Sequence, residues 1–125
     1  MTSSTSTLLP NVAMAIFLFP PLMGIFSLIN PDAVLAKAFQ YPPPDNAARK
    51  AHDIAVNLTR LFGVRNLFMG GAALGAWVKG DRGLLGYFCL LAAGVASVDA
   101  VVQGGGLKHW WLVPVLVGVG AGLME

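Results

Sequence analysis

The hydrophobic residues of this chain fall into four long stretches that are separated by short polar connections. The stretches cover about residues 11–30, 55–79, 83–103 and 110–124, and charged side chains are rare in them. A hydrocarbon core of about 30 Å is crossed by about 20 predominantly apolar residues in a helix. The pattern therefore predicts four transmembrane helices in a single domain, residues 1–125.

Two prolines and one short polar segment add detail to this pattern. Pro20 and Pro21 stand in the middle of the first stretch and remove two backbone donors, which predicts a kink. Between the first two stretches, Pro31 and Asp32 open a segment that suits a short helix. This helix is amphipathic, and we expect it to lie on the membrane surface. The predicted fold is all-α, an integral membrane four-helix bundle.

The second predicted helix is longer than its apolar part. It runs from about Ala47 to Lys79, roughly 50 Å at 1.5 Å per residue, so its first turns project into water. The fourth stretch is short for a span, and we expect tilt or local thinning of the bilayer there. The first turns of the second helix hold titratable or charged side chains: Arg49, Lys50, His52 and Asp53.

The amino-acid composition favours a membrane protein over a soluble or nucleic-acid-binding one. Hydrophobic residues make up 56% of the chain and charged residues 11%, against roughly 25% charged residues in soluble domains. The net charge is +2 without a run of Lys or Arg, so membrane lipids rather than nucleic acid are the expected partners. A lone Cys89 and two distant histidines give no metal-ligand spacing, and no cofactor is predicted.

The orientation in the membrane follows from the basic residues of the connections. Loops one and three share a side and hold four of these residues, whereas loop two holds two. The positive-inside bias places loops one and three in the cytosol and both termini on the other side. The residues compared are Lys37, Arg49, Lys50 and Lys108 against Lys79 and Arg82.

Small residues recur at four-residue spacing on the predicted spans. Such pairs let helices approach closely in lipid, within one chain or, as the alternative, between two chains. The pairs are Gly71 with Gly75, Ala93 with Ser97, and Gly118 with Gly122.

Polar groups inside the bilayer form the candidate site, because intramembrane ionisable residues are costly. Arg60, Arg65 and Asn66 lie on the second helix, and Asp99 lies on the third. Arg65 is about 7 Å and Asp99 about 6 Å inside the same bilayer face, so Asp99 can meet Arg60 or Arg65 at matching depth. The two arginines point about 140° apart on the helix, so one pairs with Asp99 and the other snorkels or contacts loop one.

Two interpretations of this cluster stay open. In one, Asp99 and an arginine form a desolvated ion pair that specifies the fold. In the other, Asp99 exchanges a proton with a lipophilic substrate, Arg60 or Arg65 polarises a carbonyl or enolate, and Asn66 orients it. Three further acid or base candidates lie at the water-facing end of the predicted site: His52, Asp53 and Tyr41. A solvated helix end also explains these side chains.

The motif Arg60-Leu-Phe-Gly-Val-Arg65-Asn66, followed by Gly70-Gly71, Gly86 and Asp99, resembles the fungal small membrane proteins grouped as DUF4267. The layout is also similar to DoxX-like four-helix proteins. The resemblance implies an integral membrane protein of the endoplasmic reticulum or another endomembrane, and it implies close-packing glycines. Some members occur in fungal secondary-metabolite gene clusters, but no reaction is defined for the family.

Two functions remain as hypotheses. The first is a cofactor-independent isomerase or cyclase that acts on a lipophilic polyketide or terpenoid in fungal secondary metabolism. The alternative is a non-catalytic accessory or ligand-binding protein that anchors a biosynthetic enzyme at the membrane. The oligomeric state is not predicted by the sequence.

Overall fold

The computed structural model describes residues 3–41, 45, 48–102 and 110–125, with side chains from residue 7 onward. These residues form helices and no strand, which confirms the all-α prediction. The predicted connection at residues 103–109 and the predicted helix start near Ala47 lie outside the described residues. In chain order the helices are α1 (Ser3–Phe17), α2 (Phe19–Ile29), α3 (Pro31–Lys37), α4 (Arg49–Val78), α5 (Arg82–Val102) and α6 (Leu112–Met124).

Three helical segments are long and apolar enough to cross a membrane: Thr7–Ile29, Arg49–Val78 and Arg82–Val102. They correspond to the first three predicted spans. The fourth predicted span is an apolar helix, Leu112–Met124, of 13 residues. At 1.5 Å per residue it is about 20 Å long, which is shorter than the hydrocarbon thickness.

The first span is divided at Leu18, between α1 and α2. Pro20 and Pro21 have no N–H to donate to the carbonyls four residues earlier, those of Ile16 and Phe17. The helical hydrogen bonds therefore stop at this point and begin again in α2. The structure thus interrupts the first span at Leu18, and the predicted kink stays a prediction.

Helix α3 is delimited by its flanking residues. The backbone N–H of Ala33 donates to Asn30 Oδ1 at 3.2 Å, and Pro31 occupies the first turn. Pro31, Val34 and Leu35 are buried, whereas Asp32 is exposed. Gln40 follows with a φ of 52°, a left-handed conformation that turns the chain.

The chain divides into two compact units: a terminal unit, residues 1–17 and 72–125, and a central unit, residues 18–71. In the central unit, α2 lies against α4 at two glycines. A Cβ atom on Gly24 would be 2.7 Å from the carbonyl oxygen of Gly63, and a Cβ atom on Gly63 would be 2.8 Å from that of Gly24. The backbones approach so closely that only glycine fits at either position.

The terminal unit has a second close contact, between α5 and α6. A Cβ atom on Gly86 would be 2.7 Å from the carbonyl oxygen of Gly120. Cys89, Leu116 and Leu123 are buried in this unit. Because α6 is short, its packing on α5 is its main support.

The predicted small-residue pairs are only partly used for packing. A Cβ atom on Gly71, Gly75 or Gly118 would have no other described side chain or distant backbone atom within 4 Å, so the prediction is wrong for these glycines within each unit. Gly122 is the exception, with Leu9 Cδ1 at 3.1 Å from its added Cβ. Four-residue spacing identifies a face of small residues, but it does not say whether a neighbouring helix covers that face.

Candidate functional site

The four predicted site residues are divided between the two units. Arg60, Arg65 and Asn66 lie on α4 in the central unit, whereas Asp99 lies half-buried on α5 in the terminal unit. The pairing of Asp99 with Arg60 or Arg65 therefore stays a prediction.

Asn66 lies on the packing face of α4. Its side chain is 6% exposed and Thr59 is 3% exposed, and both follow the helical spacing of the buried glycines Gly63 and Gly70. Thr59 Oγ1 donates to the carbonyl of Ala55 at 2.9 Å, which satisfies that hydroxyl within its own helix. Asn66 is thus part of a buried stripe of small and polar residues.

Arg60 and Arg65 are both exposed on α4. The Arg65 guanidinium carbon lies 5.0 Å from the centre of the Phe62 ring, which is within the range of a cation–π interaction. Phe62 in turn contacts Phe39, edge to face, with ring centres 5.6 Å apart. These contacts hold the segment after α3 against α4 and place a cation at its side.

A second polar contact joins α3 to α4 in the central unit. His52 Nε2 lies 2.8 Å from Asp32 Oδ1, and the His52 side chain is only 18% exposed. Sequence reasoning named His52 as a candidate but assigned Asp32 only to the helix N-terminus. The two residues are 20 positions apart on different helices, and the sequence signal was limited to the polar first turns of both helices.

The other nitrogen of His52 determines what this pair can do. Nδ1 is buried and has no hydrogen-bond partner among the described residues. Since a carboxylate can only accept, the hydrogen bond assigns the proton to Nε2, and in the neutral ring this leaves a lone pair on Nδ1. A histidine that is oriented by a carboxylate and keeps a lone pair on the opposite nitrogen is suited to general acid–base catalysis once a substrate reaches that nitrogen.

An aromatic ring lies beside the pair. The centre of the Tyr41 ring is 6.3 Å from that of His52, with the two planes inclined by 35°. Within the described residues, no three His, Cys, Asp or Glu side chains are grouped to hold a metal ion. The site that the central unit offers is therefore the Asp32–His52 pair, flanked by Tyr41.

Comparison with known proteins gives one match. No curated protein and no solved structure matches the sequence. Residues 15–123 match the family described as Domain of unknown function (DUF4267). This match covers most of the chain, including all four predicted site residues, and it confirms the family that the sequence motif indicates. The chain belongs to the DUF4267 family.

Proposed function

We propose that this protein is an integral membrane isomerase or cyclase of fungal secondary metabolism, acting on a lipophilic polyketide or terpenoid. The observation that carries the proposal is that His52 Nδ1 has no hydrogen-bond partner in the described part of the chain, while Asp32 binds the opposite nitrogen of the ring. Isomerisation and cyclisation by proton transfer need no cofactor, only a group that removes and returns a proton.

The proposed topology has four spans, with α6 as a short fourth span and α3 on the membrane surface. The contact of the exposed Asp32 with His52, which precedes the apolar part of α4, supports this location of α3. Loops one and three, and with them α3, are proposed to be cytosolic, at the endoplasmic reticulum or another endomembrane. The surplus of basic residues in these loops supports this orientation.

The length of α4 supports a proposed position of the pair relative to the bilayer. Counting about 20 residues back from Val78 puts one edge of the hydrocarbon near Thr59. His52 then lies about 10 Å outside that edge, just beyond the headgroup layer, which is about 5–8 Å thick. Leu61 and Phe68 are 65% and 76% exposed on α4, which fits a helix surrounded by lipid beyond that level. A lipophilic substrate dissolved in the bilayer can reach the pair from the headgroup layer.

In the proposed reaction, Nδ1 removes a proton from carbon next to a carbonyl and later returns it to another carbon of the same molecule. Electrons and protons balance without a co-reactant. Asp32 accepts the Nε2 hydrogen bond throughout and stabilises the ring while it is positively charged. Because Nδ1 is covered in this structure, the substrate must displace the groups above it.

The cluster predicted from the sequence has a proposed role in the same function. Arg65 lies about 20 Å along α4 from His52, so the predicted cluster is proposed as an alternative to the His52 pair. In it, Arg60 or Arg65 polarises a carbonyl, Asn66 orients the substrate and Asp99 exchanges a proton. The exposure of both arginines supports their access to a ligand, whereas the burial of Asn66 favours a packing role for that residue.

One observation favours the alternative, a non-catalytic accessory or ligand-binding protein that anchors a biosynthetic enzyme. The His52–Asp32 contact joins a surface helix to a membrane helix, and a purely structural tether also needs no access to Nδ1. An anchoring role predicts that a biosynthetic enzyme co-purifies with the chain.

Complementation of a deletion strain tests the catalytic proposal. The strain lacking the gene is expected to accumulate a precursor, and His52→Gln and Asp32→Asn are expected to leave that precursor unconverted. Asp45→Asn, which changes an exposed carboxylate of the same unit and keeps an oxygen that accepts the N–H of Ala48, is the matched control and should restore the product. Asp99→Asn in the same strain tests the predicted second acid.

Metabolite profiling measures the precursor and the product in each of these strains. The level of each variant protein in the membrane fraction is measured in parallel. Full restoration of the product by His52→Gln at normal protein level would show that the pair is a tether and not a catalytic site. Full restoration by Asp99→Asn would remove Asp99 from the reaction.

A further inference from the structure

The terminal unit contains a cavity that the proposed reaction does not use. It has a volume of about 280 Å³ and lies where the start of α1, the end of α4 and the start of α5 meet. Its apolar wall includes Ala76 and Leu85. Its polar lining includes Asn11, Asp81 and Arg82. Such a mixture of an apolar wall and a few polar groups is typical of a small-molecule site.

Hydrogen bonds hold the turn between α4 and α5 and orient the Asp81 side chain. Gly80 has a φ of 70°, and the N–H groups of Gly80 and Asp81 donate to the carbonyls of Trp77 and Ala76 at 3.0 Å each. These bonds form a Schellman cap on α4. Asp81 Oδ1 then accepts the N–H of Leu84 at 2.9 Å and caps α5. One carboxylate oxygen of Asp81 is thus used by the helix, and Oδ2 remains for a ligand.

Arg82 is the cation of the cavity. Its side chain is half-buried, and among the described residues no carboxylate forms an ion pair with it. It stands in the first turn of α5, where a positive charge opposes the helix dipole. Helix stability therefore does not account for an arginine here, and at the end of a span its charge lies at the level of the lipid phosphates.

Trp77 and Asn11 complete the lining. The indole Nε1 of Trp77 donates to Asn11 Oδ1 at 3.1 Å, which joins α4 to α1. The oxygen of the Asn11 amide is used in this bond, and its Nδ2 group remains as a donor. A tryptophan at the end of a span is also the residue expected at the level of lipid headgroups.

From this lining we infer that the cavity binds the headgroup of a zwitterionic phospholipid with a primary amine, of the phosphoethanolamine type. Arg82 and the Asn11 amide bind the phosphate, and Asp81 Oδ2 accepts from the ammonium group. The two opposite charges on adjacent residues match the two charges of that headgroup. The volume accommodates a headgroup but not a whole lipid, so the acyl chains extend along the apolar helices into the bilayer.

Binding is measured with the full chain in detergent, using Trp77 as the reporter. The chain has three tryptophans, and Trp110→Phe with Trp111→Phe leaves Trp77 as the only one. The probes are dihexanoyl phosphatidylethanolamine, dihexanoyl phosphatidylcholine and inorganic phosphate. We expect a saturable change in Trp77 fluorescence with phosphatidylethanolamine, and about tenfold weaker binding of phosphatidylcholine, whose quaternary ammonium has no N–H to donate to Asp81.

Three variants test which charged side chain binds which group of the lipid headgroup. Arg82→Gln should weaken phosphatidylethanolamine binding about tenfold, because a charge-assisted hydrogen bond to phosphate is lost. Asp81→Asn keeps the helix cap and should bring phosphatidylethanolamine down to the affinity of phosphatidylcholine. Lys79→Gln, the matched control, removes a cation of the same turn that is outside the lining and should change neither affinity.

Each contrary result overturns the inference. Absence of saturable binding shows that the cavity takes no headgroup, and an equal loss in Lys79→Gln and Arg82→Gln shows general charge attraction. If the chain with Asp81 unchanged bound phosphatidylethanolamine and phosphatidylcholine equally well, Asp81 would not recognise the amine. Inorganic phosphate that binds as tightly as the lipid shows a site for a free anion. Thermal unfolding of each variant, expected to be unchanged, separates a loss of ligand contact from a loss of fold.

Discussion

Gly63→Ala is expected to destabilise the protein by about 1–2 kcal/mol, although alanine is the better helix former. A Cβ atom at this position would lie 2.8 Å from the Gly24 carbonyl oxygen and 2.9 Å from Ser27 Cβ. Backbone atoms cannot turn away as a side chain can, so α2 and α4 must separate. Overpacking of this kind costs about 1–3 kcal/mol, which exceeds the gain of about 1 kcal/mol from replacing glycine in a helix. Denaturant unfolding in detergent micelles measures the difference.

Gly71→Ala is the matched control on the same helix. An added Cβ atom there meets no other described side chain or distant backbone atom within 4 Å, so only the helix propensity changes. We expect unchanged or slightly higher stability, by up to about 1 kcal/mol. Equal effects of the two substitutions would contradict the close contact between α2 and α4. A loss at Gly71 alone would mean that the exposed glycine face packs against another chain.

Gly86→Leu is expected to have an even larger effect, because it separates α5 from α6. A Cβ atom on Gly86 would be 2.7 Å from the Gly120 carbonyl and 3.0 Å from Leu123 Cβ, so a whole leucine side chain has no space. Helix α6 is about 20 Å long and depends on this packing to stay in place. We expect a loss of more than about 3 kcal/mol and faster proteolysis at the C-terminal end.

Gly94→Leu provides the comparison for this second contact. Gly94 is exposed on the same helix, and an added Cβ atom there meets no other described side chain or distant backbone atom within 4 Å. The substitution should leave stability and protease sensitivity of α6 nearly unchanged. If Gly86→Leu behaved like Gly94→Leu, the packing of α6 on α5 would be wrong.

The helices could be predicted from the sequence because their signals are local. Long apolar stretches determine which segments can span the bilayer, and the consecutive prolines at positions 20 and 21 interrupt a helix wherever they occur. The short helix that begins at Pro31 could be predicted for the same reason, since Pro31 and Asp32 are start signals within one turn. The seven residues that form α3 agree with this prediction in position.

The contacts between helices could not be predicted in the same way. Helix α4 contains four glycines that are alike in sequence: Gly63, Gly70, Gly71 and Gly75. In the structure Gly63 and Gly70 lie against α2, whereas the other two do not. The choice depends on the rotation of α4 about its axis. That rotation is set by many weak packing contacts and not by the spacing of small residues.

At the candidate site, too, residues with a local sequence signal could be predicted, whereas a contact between distant residues could not. The intramembrane positions of Arg60, Arg65 and Asp99 stand out in the sequence because charge is rare in an apolar stretch. The partner of His52 did not stand out, because Asp32 has an ordinary local role at the start of α3 and the contact joins residues 20 positions apart. The burial of His52 Nδ1 depends on the path of the chain after α3, which no local pattern determines.

The most direct test of the central proposal is solvent deuterium incorporation during conversion of the accumulated precursor by the purified full chain. In D₂O, we expect deuterium in the product to the extent that the proton held by His52 Nδ1 exchanges with solvent before a proton is returned to the substrate. His52→Gln should slow the reaction by at least about a hundredfold, whereas Asp45→Asn should not. Conversion by His52→Gln at the normal rate would contradict proton transfer by the Asp32–His52 pair.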